Sequence, residues 1–340
     1  MDSAIRPRRQ TEQASAALPA RCSALAALAA VFLVAGAGCG DSQPESAQSA
    51  PAQIEPAEVA AEERSFIDTT RATPANREFE GAPERTLETR LWYAPTQLNS
   101  DACSSKGCGL LVLAHGFGGN TGRFDIFARE LASRGWIVVA PSFPLTNDRG
   151  PGGFGSAIGD LIEQPGDLSF LIDQLFAAFG ESGDVLHGRV DAGRIGLVGH
   201  SLGGATVIAL DRHDCCWDKR VGATFLVAPA VFLLPIFGDA TDPVGAPTLL
   251  LAGTEDFAVA PEIVADFFAV LEGFKIFALL QGYDHVTHLE AGEPAPFPER
   301  IAGTARLADA FFRETLAGGS DLDEHLGQLR RDGHEVATGS

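Results

Sequence analysis

A mostly parallel central sheet with helices on both faces, the α/β class, is what this sequence predicts. Three observations carry that reading. Short, wholly apolar runs alternate with segments whose apolar residues recur at helical spacing, the pattern of repeated strand–helix units around a buried sheet. At 194–210 a strand, a very tight turn and a helix follow one another without a break. The two long interruptions, 143–166 and 229–246, are rich in proline and glycine, and each comes directly after a strand.

The elements follow in order. Residues 1–38 read as a secretory leader: Arg6, Arg8, Arg9 and Arg21 precede an apolar stretch, Ala24 to Gly38, that is short for a bilayer span. Arg8-Arg9 lacks the apolar continuation of a twin-arginine signal. Gly36-Ala37-Gly38-Cys39 resembles a bacterial lipoprotein processing site, which makes Cys39 a candidate lipid anchor; ordinary cleavage after a small residue is the alternative. Residues 39–64, dominated by Ser, Ala, Gln, Pro and Glu, have little to bury and read as a disordered tether.

The catalytic-size domain is placed at 65–318. Leu87, Thr89, Leu91 and Tyr93 share one face of a strand, and Leu110 to Leu113 form a fully apolar one. Phe124, Phe127, Ala128 and Leu131 mark a helix, Trp136 to Val139 a strand, and Leu168, Leu171, Ile172, Leu175 and Phe179 one face of a longer helix. After the turn at 201 come strands Ala223 to Val227 and Thr248 to Leu251. A helix with Ile263, Phe267, Val270 and Leu271 inward, the strand Lys275 to Leu280, and a helix with Ile301, Ala305, Ala308 and Phe312 complete the run. Residues 319–340 are assigned as a polar tail in which 321–331 has the pattern of a short amphipathic helix.

A formal net charge of −20, which becomes more negative once the arginine-bearing leader is removed, excludes a nucleic-acid partner, because such a surface repels phosphate. Cys103, Cys108, Cys215 and Cys216 remain in the folded part, and export favours their oxidation. The Cys103–Cys108 loop contains serines and a glycine and closes a small ring, a cross-link worth about 2 kcal/mol. For adjacent Cys215 and Cys216 a vicinal disulfide and a buried free thiol both stay open; no C-x-x-C or histidine spacing supports a metal.

Gly199-His200-Ser201-Leu202-Gly203-Gly204, between the strand Arg194 to Val198 and the helix-like Ala205 to Leu210, is a nucleophile elbow. A Cβ at Gly199 or Gly203 would collide with neighbouring backbone, and the strained turn lifts the Ser201 hydroxyl out of the sheet. A bare G-x-S-x-G arises by chance in a chain with 38 glycines, so the flanking strand and helix carry the weight.

A serine hydroxyl needs a base. His285, in the turn after the strand 275–280 and three residues past Gly282, is the candidate, with His288 as a supporting neighbour. The orienting acid belongs on the turn after the strand 248–251, where Asp256 is preferred to Glu255; Asp239 and Asp242 are read as solvated. The oxyanion would be held by the N–H groups of Leu202 and Phe117, the latter in the glycine-rich His115-Gly116-Phe117-Gly118-Gly119. That loop lacks the spacing of a phosphate cradle.

With these residues placed, 65–316 resembles the α/β-hydrolase superfamily. Asp68 to Asn76, followed by Arg85-Thr86-Leu87 and Trp92-Tyr93, resembles the entry segment of bacterial platelet-activating-factor acetylhydrolases and dienelactone hydrolases; chlorophyllases and cutinase-type polyester hydrolases are also similar. The resemblance implies the α/β-hydrolase fold and a serine esterase for short acyl, lipid or polymer esters, working without metal or organic cofactor. A serine where dienelactone hydrolases have cysteine, and where dehalogenases and epoxide hydrolases have aspartate, argues against those reactions. No inserted segment is large enough for a lipase lid. The alternatives are a binding protein that keeps the fold without the chemistry, and a serine peptidase.

Overall fold

The computed structural model describes residues 57–103, 105–153, 157–238, 242, 244–286, 289, 297–319 and 321–339. The leader at 1–38, the candidate anchor Cys39, Asp239 and His288 lie outside the described residues. Within the described residues no helix is long and apolar enough to cross a membrane.

Nine strands form one sheet: β1 (Ala60–Asp68), β2 (Arg85–Tyr93), β3 (Cys108–Ala114), β4 (Ile137–Ser142), β5 (Val190–His200), β6 (Val221–Val227), β7 (Thr248–Gly253), β8 (Lys275–Leu280) and β9 (Glu335–Gly339). Their order across the sheet is β1-β2-β4-β3-β5-β6-β7-β8-β9. From β4 to β8 all pairs are parallel, and β1, β2 and β9 join antiparallel at the two sides. The helices are α1 (Asp125–Ser133), α2 (Gln164–Gly180), α3 (Leu202–Arg212), α4 (Pro261–Val270), α5 (Pro298–Phe312) and α6 (Leu322–Arg331).

Because successive strand residues point to opposite faces, the wholly apolar β3 feeds two cores at once. Leu110 and Val112 pack in the layer with α2, α3 and α4, while Leu111 and Leu113 pack in the layer with α1, α5 and α6. Two of the expected helix faces are buried as the periodicity implies, Leu168, Leu171, Ile172 and Leu175 of α2 and Ile301, Ala305, Ala308 and Phe312 of α5.

Four details differ from the sequence expectation. First, β1 starts at Ala60, inside the span assigned to the tether; its charged residues pair across the strand edge, Arg64 with Glu62 and Asp184. Second, the polar C-terminal segment packs onto the fold: the amphipathic helix expected at 321–331 is α6, which buries Leu322 and Leu326, and the unexpected β9 extends the sheet beside β8. Third, α4 buries Val264 most completely, Val270 is exposed, and Leu271 lies just beyond the helix. Fourth, the stretches 143–166 and 229–246 contain 3₁₀ turns, Ile158–Glu163 and Val231–Phe237, and α2 already begins at Gln164 with Pro165 in its first turn, where no N–H is needed.

The structure joins Cys103 to Cys108 and Cys215 to Cys216. A buried ion network ties the entry segment to the long loop after β4. Arg85, at the start of β2, is fully buried between Asp160 at 2.8 Å and Asp167 at 2.6 Å. Arg71 reaches the same Asp167 at 2.8 Å and Asp68 at 2.7 Å. Burial pulls the Arg85 guanidinium down, but the two carboxylates outweigh it and hold Arg85 above its ordinary value.

Candidate active site

The carboxyl ends of β3, β5, β7 and β8 converge on one edge of the sheet, where ligands bind in this architecture. Ser201 occupies the turn between β5 and α3 with φ +52° and ψ −115°, a conformation that costs a non-glycine residue about 1–3 kcal/mol. Neighbouring backbone holds it there. The Ser201 N–H donates to the Val227 carbonyl at 3.0 Å, and the Ser201 carbonyl accepts from the N–H of Ala230 at 2.9 Å and of Gly204 at 3.0 Å. The close approach expected at the glycines is present: a Cβ on Gly203 would lie 2.1 Å from the Ala114 carbonyl oxygen, and one on Gly199 would lie 2.6 Å from that of Gly203.

The structure brings Ser201, His285 and Asp256 into one hydrogen-bonded relay. His285 Nε2 is 2.8 Å from Ser201 Oγ, and His285 Nδ1 is 2.8 Å from Asp256 Oδ2. Since the carboxylate can only accept, Nδ1 carries the ring proton and Nε2 faces the serine hydroxyl as an acceptor. Burial pushes the Asp256 carboxyl up, but hydrogen bonds from His285 and from the N–H groups of Val259 and Ala258 outweigh it, so Asp256 sits below the usual carboxylate range. Glu255, the alternative acid, is exposed and contributes its backbone N–H to Tyr283 instead. Asp242 is exposed, as expected of a solvated residue.

The two loops that carry acid and base are laced together. Gly282 N–H donates to Thr254 Oγ1 at 2.9 Å, Glu255 N–H to the Tyr283 carbonyl at 2.9 Å, and Arg300 Nη1 to the Gly282 carbonyl at 2.6 Å. The Arg300 guanidinium also lies over the Tyr283 ring, 4.6 Å from its centre.

Sequence reasoning assigned His200 only a place in the elbow, and the structure gives it a task. Its buried ring donates from Nε2 to the His285 carbonyl at 2.6 Å and lies against the His285 ring with centroids 4.9 Å apart. No periodicity signals such a contact, because its partner stands 85 residues away. His213, just past the end of α3, is likewise buried, beside Phe237.

The 115–119 loop leaves β3 directly beside the serine: a Cβ on Gly116 would meet the Ser201 Cβ at 3.2 Å and His200 Nδ1 at 2.9 Å. His115 anchors the loop. Its Nε2 accepts from the Phe143 N–H at 3.0 Å, which leaves Nδ1 to donate to the Gly116 carbonyl at 2.8 Å. Gly118 N–H donates to Thr146 O at 2.7 Å and Asp148 N–H to Gly119 O at 3.1 Å, so the loop after β4 braces it from the other side. Leu202 is the first residue of α3, where backbone N–H groups have no partner within the helix and the helix dipole favours negative charge.

Exposed apolar side chains gather on these same loops. Phe257 follows Asp256 and is 98% exposed, Val286 follows His285, and Phe232 and Ile236 project from the 3₁₀ turn after β6; Phe117 is exposed too. Among the described residues no cluster of His, Cys, Asp and Glu could hold a metal ion.

A family model described as alpha/beta hydrolase family matches residues 111–332. Among solved structures, a ferulic acid esterase from Streptomyces cinnamoneus superposes with a TM-score of 0.59, covering 86% of this chain and 98% of that one at 21% identity. At that identity the likeness speaks for the fold. None of the curated proteins matches this chain by sequence.

Proposed function

The chain belongs to the alpha/beta hydrolase family, and from that premise we propose that it is an exported serine hydrolase that cleaves carboxylic esters through an acyl-enzyme. The observation that carries this reading is the relay Ser201–His285–Asp256, with 2.8 Å at each link. His285 takes the Ser201 proton as Oγ attacks the ester carbonyl, and Asp256 stabilises the imidazolium that forms. The N–H groups of Phe117 and Leu202 hold the negative charge on the carbonyl oxygen. The imidazolium then protonates the departing alcohol, and a water activated by His285 releases the acid and restores Ser201.

The apolar side chains around the relay support esters with an apolar acyl or aryl part. Ester chemistry also matches the activity of the ferulic acid esterase whose fold this chain shares. Export rests on the arginine-led apolar leader and on two cystine pairs, which persist in oxidising compartments. Attachment to a membrane surface through a lipid on Cys39 is part of the same proposal.

Purified protein is expected to release p-nitrophenol from the acetate and butyrate esters, and Ser201→Ala is expected to lower turnover by about 10⁴–10⁶. A fluorophosphonate should label the wild type on Ser201 and leave the variant unmarked. Turnover that survives Ser201→Ala would move the nucleophile elsewhere; a folded wild type that resists both ester and label would be a binding protein. Hydrolysis of the matching p-nitroanilides at a comparable rate would favour a peptidase.

A further inference from the structure

We propose that the polar cavity beside the 115–119 loop binds a neutral saccharide or similar polyol, so that the ester this protein cleaves is carried on a hydroxyl-rich partner. The proposal rests on the esterase reading above and extends it to the remote part of the substrate. The cavity encloses about 600 Å³, within the size range of small-molecule sites. It lies over β2 and the end of β4, on the opposite side of β5 from the loops that carry Asp256 and His285.

Its position ties it to the chemistry. Asn120 lines it and stands three residues after Phe117, so the two are at most about 11 Å apart along the chain. Asn147, also in the lining, pairs with Gly119 through the backbone. The 116–120 segment thus links the rim of the cavity to the turn at Ser201, and a substrate long enough to occupy both can use binding energy from the cavity at the reacting centre.

The lining selects the ligand class. Four carboxylates, Glu63, Glu84, Glu88 and Asp148, share the lining with two guanidinium groups, Arg149 and Arg90, the latter 3.4 Å from Glu63, an excess of negative charge that repels anionic ligands. The amides are already oriented: Asn120 Oδ1 accepts from Gly122 N–H at 2.8 Å and its Nδ2 donates to Asp148 at 2.6 Å, while Asn147 Nδ2 donates to the Phe143 carbonyl at 2.7 Å. With the amides held by the protein, the hydroxyls of Thr86, Thr121 and Ser142 in the lining can each give and accept a hydrogen bond, which suits a ligand whose polar groups do the same, the property of a hydroxyl. Phe79 and Pro144 add apolar surface on which the C–H face of a sugar ring can lie.

Binding is tested without turnover. Cellotriose, xylotriose and maltotriose are titrated into the full protein and into Ser201→Ala by calorimetry or ligand-observed NMR, with spermidine as a cationic comparison. At least one saccharide is expected to bind both proteins, and Thr86→Trp, which adds bulk to the cavity lining, is expected to weaken it at least tenfold. Phe79→Ala is a second variant on a separate segment, expected to weaken binding about threefold or more. The ratio of kcat/KM on an acetylated form of the bound saccharide to that on p-nitrophenyl acetate is expected to fall about tenfold in Thr86→Trp. No saccharide binding, binding of spermidine alone, or binding indifferent to both variants overturns the proposal. Failure on p-nitrophenyl acetate with saccharide binding intact would instead sink the esterase reading.

Discussion

On either side of Ser201 the same sheet edge carries opposite chemistry. The loops after β6, β7 and β8 hold Asp256 and His285 and expose Phe232, Phe257 and Val286. Across β3 and β4 the surface turns to carboxylates, amides and hydroxyls around a cavity, and the Arg85 network is buried on the other face of β2. The two sides are also held differently. The base and acid loops are joined by a few backbone and Arg300 contacts, whereas the cavity side is locked by charges that have no exposure at all. The contrast teaches that polarity changes from one side of Ser201 to the other, and that each side can be perturbed with its own readout.

The relay offers the largest effect. Asp256→Asn keeps the size of the side chain but can present an amide to His285 Nδ1, which favours the wrong ring tautomer; turnover is expected to fall by about 10⁴ with KM little changed. Steady-state kinetics on p-nitrophenyl butyrate checks this, and a loss below tenfold would remove Asp256 from the mechanism. The same carboxyl lies below its usual range in the folded protein, so its contribution to stability is fully present above the ordinary carboxylate range and is lost as pH falls through the lowered value.

On the cavity side the comparable break is in folding. Asp167→Ala strands Arg85 with half its compensation in a fully buried site, and is expected to cost about 3–5 kcal/mol in denaturant unfolding. The matched control is Asp173→Ala, which removes an exposed partner of Arg220 and should cost less than about 1 kcal/mol. Equal costs would show that the network is not what holds the entry segment to the loop after β4.

Much of this arrangement was legible in the sequence because it depends on local rules. Gly199 and Gly203 flag a turn that no side chain tolerates, and runs such as Leu110 to Leu113 can only be strands buried on both faces. The relay residues were readable because each stands just after a strand, at the edge where the turns must meet. What escaped depends on distant partners. His200 acquires its role from a carbonyl 85 positions on, and Arg85 from carboxylates 75 and 82 positions on. The two outer strands escaped for a different reason: Ala60 to Asp68 and Glu335 to Gly339 are short on apolar residues because they lie at the sheet's edges, so their alternation carries little hydrophobic signal. In α4 the helical period was right and its phase was not, since Val264 rather than Val270 turns inward.

The smallest expected effect tests the apolar side alone. Phe257 is 98% exposed, so its ring contributes almost nothing to folding, and Phe257→Ser should leave the unfolding free energy within about 0.5 kcal/mol of wild type. Beside Asp256, however, the ring is placed to cover part of an apolar substrate. Covering roughly half of such a ring is worth about 1 kcal/mol, or about fivefold in apparent affinity. Across a series of p-nitrophenyl esters, KM for the octanoate should therefore rise about fivefold in the variant while KM for the acetate, too short to reach the ring, stays within twofold. A uniform rise along the series would mean that the substitution disturbed Asp256 rather than a contact with the chain. No rise at all would mean that the apolar side of the nucleophile does not touch the substrate, and the division of labour between the two sides would fail.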